Sequence, residues 1–369
     1  MLEKYHNYII DLVDSALSAD YTRLRRLGNK IAKILADEDI EASNRLRLAL
    51  RQKGVPLRTS GYGESLPVDG KSRLPLVEEQ EWPTTPVFIN ASNENIIKDF
   101  LEDVKNLDLL SEKGISARLC LLLSGPPGTG KSLLASHIAA QLNKSFYVVR
   151  LDSAVSSLLG DTAKNIRSIF DFVPLHGGVL FIDEMDAVAK LRNDQYELGE
   201  LKRVVNTVIQ ALDSLDDSAI VIAATNHSQL LDPAIWRRFP YKIEMGLPTD
   251  EVRKDIWNYY LFEDKDQSSL SSLLSKISDG MSGADIQTIA LSARRHSILE
   301  NEAVDIAGVV WAVLQTVDNK LVLPDRNGVT GEQKKKMSIF LAKKSINQTD
   351  IARLVSVSRQ SVSAYLKEE

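Results

Sequence analysis

Gly125-Pro126-Pro127-Gly128-Thr129-Gly130-Lys131-Ser132 fits the spacing Gly-x-x-x-x-Gly-Lys-Ser/Thr, in which glycines let the backbone curl until successive N–H groups converge on phosphate oxygens. Its setting fits too. Leu121-Leu122-Leu123 before it reads as a buried strand, and Leu133-Leu134-Ala135-Ser136-His137-Ile138-Ala139-Ala140 after it as a helix rich in small and apolar residues. A helix starting at the loop adds partial positive charge beside the phosphates. The phosphate-binding run is therefore Pro127, Gly128, Thr129, Gly130, Lys131, Ser132 and Leu133, with Lys131 placed to reach the outer phosphates and the Ser132 hydroxyl to ligate Mg²⁺.

Two later stretches supply what such a loop needs. Gly177-Gly178 precedes Val179-Leu180-Phe181-Ile182, four apolar residues suited to a strand buried on both faces, and that strand runs into Asp183-Glu184. Ligands of open α/β sheets lie at the carboxyl ends of the strands, so both acids are expected beside the loop. Asp183 is read as part of the Mg²⁺ shell, and Glu184 as the group that orients or deprotonates the attacking water. Ile220-Val221-Ile222-Ala223-Ala224-Thr225 is another buried strand, ending in Asn226. Asn226 either hydrogen-bonds the water or the γ-phosphate, or simply forms a turn.

The rest of the chain divides around this region. Residues 1–53 read as helices, with Leu24, Leu27, Ile31, Ile34 and Leu35 at three- and four-residue steps. Residues 54–85 carry Gly and Pro punctuation with little periodicity, as a linker or extended arm does. Over 86–248, strands at Arg118–Ser124, Phe146–Arg150, Val179–Asp183, Ala219–Thr225 and Tyr241–Met245 alternate with helices, which predicts an α/β domain with a mostly parallel sheet. Residues 249–320 read as a small helical domain and 321–369 as a further helical unit.

With 369 residues, 44% hydrophobic and 26% charged, the chain is ordinary globular material with room for several domains. Its 45 Lys+Arg against 50 Asp+Glu leave a formal net charge of −5, so any nucleic-acid or anionic-membrane contact must be local. No apolar run approaches the roughly 18 residues of a membrane span, and the charged N-terminus is unlike a secretory signal, so no membrane contact and a cytoplasmic location are expected. The lone Cys120 cannot form an internal disulfide and reads as a small buried hydrophobe. His137, His176 and His227 lack metal-ligand spacing.

The segment from about Pro86 to Val317 resembles the AAA family of ATPases. The phosphate loop, the Val179–Glu184 strand and Asn226 correspond to its Walker A, Walker B and sensor 1 elements. The resemblance implies an Mg-dependent ATPase with a P-loop α/β domain followed by a helical lid. Leu231-Asp232-Pro233-Ala234-Ile235-Trp236-Arg237-Arg238-Phe239 is similar to the arginine-finger segment of katanin- and spastin-type members, which implies that Arg237 and Arg238 complete the site of a neighbouring subunit in a ring, a hexamer. Ser282-Gly283-Ala284-Asp285-Ile286 resembles the lid helix that packs on the nucleotide, placing Gly283 and Ala284 there. Adenine contacts are sought there and over Val87–Ile97. The helix containing Gly199–Asn206 resembles one that often lines the subunit interface. In the loop entering the pore, Leu158 stands where threading rings usually carry an aromatic residue. Leucine offers less contact area and no stacking face, which weakens threading; the alternative reading is a helix-end core residue.

Asn347 to Leu366 reads as helix, tight turn, helix, with Ile351, Ala352, Val355, Val357, Val362 and Tyr365 at core positions. It resembles bacterial helix-turn-helix domains, except that Ser356 occupies the turn where Gly is common. The resemblance implies that Arg359, Gln360, Ser361 and Ser363 contact DNA. Residues 321–369 hold nine basic and five acidic residues, a local excess of +4 that favours such a role over a protein-docking bundle. Three functions fit: a ring remodelling a protein or nucleoprotein partner, the partner met by the N-terminal helices; an ATP-controlled DNA-binding switch; and an adaptor for a separate effector. For the last, residues 2–53 and the Ser157–Thr162 loop look similar to bacterial AAA ATPases paired with a subtilisin-like protease.

Overall fold

The computed structural model describes residues 66–69, 75–115, 118–149, 162–186, 198–264, 267–316, 321–325 and 328–367, together with 30, 31 and 43. The chain forms two compact units, Met1–Ser65 and Leu66–Glu369. In the first, the three described residues are helical, and the remainder of the expected N-terminal helices lies outside the described residues, as do Leu158 and its loop.

The second unit is built on a six-stranded sheet in the order β1-β3-β4-β5-β2-β6. Its strands are β1 (Val77–Gln80), β2 (Cys120–Ser124), β3 (Phe146–Val149), β4 (Val179–Ile182), β5 (Ile220–Thr225) and β6 (Tyr241–Glu244). All neighbours are parallel except β1, which runs antiparallel to β3. Five strands lie where the apolar runs put them. β1 is the exception: it falls inside the stretch read as linker, because Val77-Glu78-Glu79-Gln80 buries only its first residue and is a strand only through pairing with β3.

The helices of the α/β part are α1 (Glu94–Lys105), α2 (Leu107–Glu112), α3 (Lys131–Gln141), α4 (Thr162–His176), α5 (Leu198–Asp213) and the single turn α6 (Pro233–Trp236). Alternate strand residues feed two separate cores. Leu121, Leu123, Phe181 and Ile222 pack with α1 and α3 on one face, and Cys120, Leu122, Leu180 and Val221 with α4 and α5 on the other. This period-2 division makes each central strand apolar throughout. Cys120 sits in the sheet with its thiol pushed up by burial to about 11, which leaves it protonated and unreactive at neutral pH.

The remaining helices are α7 (Asp250–Phe262), α8 (Ser268–Ile277), α9 (Gly283–Glu300), α10 (Ile306–Gln315), α11 (Gly331–Lys343), α12 (Gln348–Val355) and α13 (Arg359–Lys367). α7 to α10 form the lid. Arg253 of α7 is buried and donates to the carbonyls of Ser275 and Pro248, at 2.9 and 2.8 Å, pinning α8 to α7. Ser282 and Asp285 form a reciprocal capping box that fixes the start of α9.

α11 to α13 make up the C-terminal helical region; α12 and α13 lie on either side of the turn at Ser356. Ser356, the turn residue, has φ 54° and ψ 52°, the left-handed conformation that glycine would adopt at less cost. These helices pack on one another, and their core is continuous with that of the lid. Met337, Leu341, Ile351, Leu354, Val355 and Val362 belong to the same buried cluster as Trp257, Leu274, Ile289 and Val310 of the lid. No described helix is long and apolar enough to cross a membrane.

Candidate active site

The carboxyl ends of β4, β5 and β2 lie side by side, since Ile182 pairs with Ala223 and Ser124 with Thr225. That register brings three distant stretches together: the loop after β2, Asp183-Glu184 after β4 and Asn226 after β5 all line one cavity of about 380 Å³. The size suits a small-molecule ligand. Pro127 to Leu133, Asp183, Glu184, Asn226, Gly283 and Ala284 all reach it.

The loop needs glycine for a stated reason at two positions. Gly125 has φ 144°, and a Cβ there would stand 2.1 Å from the Met245 carbonyl oxygen. Gly128 has φ 76°, and a Cβ would meet the Ser282 hydroxyl at 2.6 Å. The second close approach lets the lid touch the loop, where the Ala284 N–H donates to the Gly128 carbonyl at 3.1 Å. Gly130 then opens α3, whose first-turn N–H groups have no acceptor within the helix.

Lys131 is buried and its ammonium donates to the Gly125 and Pro126 carbonyls at 2.9 and 2.8 Å. Desolvation lowers its pKa, and the charges of Asp183 and Asp186 oppose that shift. The Ser132 hydroxyl donates to Asp183 Oδ2 at 3.1 Å. A hydroxyl and a carboxylate oxygen so juxtaposed at the mouth of an anion cradle are the hard oxygen donors Mg²⁺ takes, so the residues present fit that ion.

Glu184 has φ 49°, unusual for a residue with a side chain. Its N–H donates to Asp183 Oδ1 at 2.8 Å, and the next N–H, of Met185, to the Ala224 carbonyl at 2.8 Å. The backbone is held on both sides of the turn while the Glu184 side chain stays exposed and lines the cavity.

Some residues at the site were not read from sequence. Buried Asp186 accepts from the Thr225 hydroxyl at 2.9 Å and from the Asn226 N–H at 3.2 Å, which fixes the end of β5. Its position two residues beyond Glu184 was the available signal. Ile256, Tyr260 and Gln287 come from the lid, and Phe88 packs its ring against Tyr260 with centroids 6.3 Å apart. Val87 and Phe88 line the cavity, inside the segment where base contacts were sought.

Arg237 and Arg238 lie outside this cavity, in the turn after α6, and they differ. Arg238 donates to Asp213 Oδ2 at 2.9 Å and to the Ala234 carbonyl at 2.9 Å, and Arg118 donates to Asp213 Oδ1 at 2.9 Å. Those two guanidinium groups hold the Asp213 carboxyl below its usual range, with Arg238 the larger cause. Arg237 is exposed; its N–H donates to the Pro233 carbonyl at 3.2 Å, and its guanidinium makes no hydrogen bond or ion pair among the described residues.

A mostly parallel sheet carrying a Gly-Lys-Ser phosphate loop, an Asp-Glu strand end and a helical lid defines a P-loop ATPase. The family model described as ATPase family associated with various cellular activities (AAA) matches residues 121–247. The chain is 35% identical over 221 residues to an uncharacterized AAA family ATPase, y4kL, of Sinorhizobium fredii, covering 57% of this chain and 66% of that relative. It is 32% identical over 300 residues to the proteasome-activating nucleotidase of Sulfurisphaera tokodaii, covering 76% of this chain and 74% of that protein. The corresponding protein of Saccharolobus solfataricus is 33% identical over 261 residues, 67% of this chain and 65% of its own length. This chain belongs to the AAA family: it binds and hydrolyses ATP.

Proposed function

We propose that this chain is a ring-forming, Mg-dependent ATPase that uses turnover to remodel a protein or nucleoprotein partner, with DNA contact through α13. The observation that carries the reading is the pairing of a complete phosphate site with a free Arg237 that lies outside that site. A finger that cannot serve its own cavity serves the next subunit's, and a head-to-tail contact of that kind closes into a ring. Relatives named proteasome-activating nucleotidase support action on another protein.

In this reading, backbone N–H groups of the loop and the start of α3 hold the phosphates while Lys131 moves from the Gly125 and Pro126 carbonyls onto them. Bound Mg²⁺ neutralises charge on the phosphates, and Ser132 and Asp183 would hold it. Glu184 accepts a proton from the attacking water, and Asn226 orients that water through its amide. Arg237 stabilises the charge that develops as the terminal bond breaks. Arg238 is a positioning residue, since its guanidinium is committed to Asp213.

Asp213→Ala therefore should lower kcat by about tenfold to a hundredfold with KM for ATP nearly unchanged, because it loosens the finger's turn without touching the cavity. Steady-state kinetics check this split; a rise in KM with kcat unchanged would contradict it. The remodelling reading is tested with a fluorescent protein carrying an unstructured tail. Fluorescence should fall in the presence of wild type and ATP and hold steady with ADP. ATP turnover without any loss of fluorescence would count against remodelling of protein.

The basic C-terminal excess and the exposed Arg359 and Gln360 at the start of α13 support the DNA contact. Ser361 and Ser363 are half-buried, beside them on the same helix.

A further inference from the structure

We infer that the face of α13 and the nucleotide site are coupled through the lid, so that duplex DNA held by α13 changes nucleotide affinity and nucleotide changes DNA affinity by the same factor. This rests on the DNA contact proposed above.

Three observations carry it. First, the lid is in direct contact with the phosphate loop: Ala284 N–H bonds the Gly128 carbonyl, and the Ser282 hydroxyl stands where only a glycine fits opposite it. Second, one continuous buried cluster runs from Ile256, which lines the nucleotide cavity, to Val362 on α13. α12 packs on α8 and α10 of the lid, with Ile351, Leu354 and Val355 fully buried. α11, α12 and α13 pack on one another, and α11 and α12 also pack on the lid, so α13 is joined to the lid through them. Third, the face of α13 turned away from that core is exposed. Arg359, Gln360, Ala364 and Lys367 lie on it, and the Arg359 guanidinium has no hydrogen-bond or ion-pair partner among the described residues. The Ser358 hydroxyl accepts from the Ser361 N–H at 3.0 Å, so α13 starts at a fixed point beside Arg359.

A close-packed interior transmits displacement because it has few voids to absorb it. Any nucleotide-dependent shift of α9 on the loop therefore carries α10, α12 and α13 with it as one body. Neighbouring copies in a ring would then present their α13 faces in different relative positions in the ATP and ADP states. A duplex that spans them binds one arrangement better, and linkage makes the effect reciprocal.

The test uses the full chain in two arms. In the first, amide hydrogen exchange is compared between the Glu184→Gln chain with ATP and the wild-type chain with ADP, without DNA. Protection is expected to change in α12 and α13 as well as at the start of α9. A change confined to α9 overturns the coupling. In the second, a fluorescein-labelled 30-base-pair duplex is titrated with the same two species at fixed salt, followed by anisotropy. The Kd is expected to differ by about tenfold between the states, matched by an equal change in the ratio of ATP-analogue to ADP affinity when the duplex is present. Equal Kd values in both states overturn the coupling and leave the DNA contact standing. Absence of duplex binding in either state overturns the DNA contact, and with it this inference, and leaves a protein as the partner of that face.

Discussion

Glu184→Gln should retain ATP and lose its hydrolysis by about a hundredfold to ten-thousandfold, the range a positioned general base contributes. The replacement keeps the shape of the side chain and removes only its basicity. The backbone at this residue is held by Asp183 Oδ1 and by the Met185 bond to Ala224, neither of which involves the Glu184 side chain, so the geometry of the turn survives. The phosphate contacts lie on the loop and α3 and are untouched, so nucleotide affinity should stay within a few-fold of wild type. Phosphate release measured alongside filter retention of labelled ATP separates the two effects. Turnover within threefold of wild type would remove Glu184 from its role.

The second large effect is expected at an arginine whose guanidinium has no partner among the described residues. Arg237→Ala should reduce kcat by about a thousandfold or more, the scale reported for arginine fingers, with little change in ATP affinity or in thermal stability. The Arg237 side chain is exposed and its guanidinium has no partner among the described residues, while the N–H bond to the Pro233 carbonyl is kept by alanine, so the substitution removes no polar contact that holds the subunit together. Arg238→Ala should differ in kind. It removes the bonds to Asp213 and Ala234 and so loosens the turn, giving a smaller loss of rate. Equal losses in the two variants would contradict the division of labour proposed for this pair.

Much of this site was legible in the chain because its requirements are local. The loop needs glycines at fixed spacing, and the buried parallel strands need uninterrupted apolar runs, so β2 to β6 and the residues at their ends could be placed without knowing what lay beside them. The parts that were not legible depend on pairing across the sequence. Val77–Gln80 is polar over most of its length and becomes a strand only against Phe146–Val149. Tyr260 and Ile256 look like any apolar helix positions until the lid folds over the loop. The periodicity of α11 to α13 shows that one face is buried, and it cannot show that the burying surface is the lid. Likewise, adjacent arginines are equivalent in a sequence, and only the position of Asp213 at the end of α5 separates Arg237 from Arg238. The shared core also bears on truncation: removing the residues after 319 would strip apolar cover from α8 and α10, so point changes on the exposed face of α13 are the cleaner probe of DNA contact.

The most direct measurement is the ATPase activity of mixed subunits. Lys131→Ala disables the phosphate site and keeps the finger, and Arg237→Ala does the reverse, so each protein alone should be nearly inactive. Mixed in equal amounts and reassembled, they should recover about a quarter of wild-type activity, because in a head-to-tail ring that fraction of contacts joins an intact site to an intact finger. Mixtures no more active than the two proteins measured separately would show that Arg237 does not act across a subunit contact.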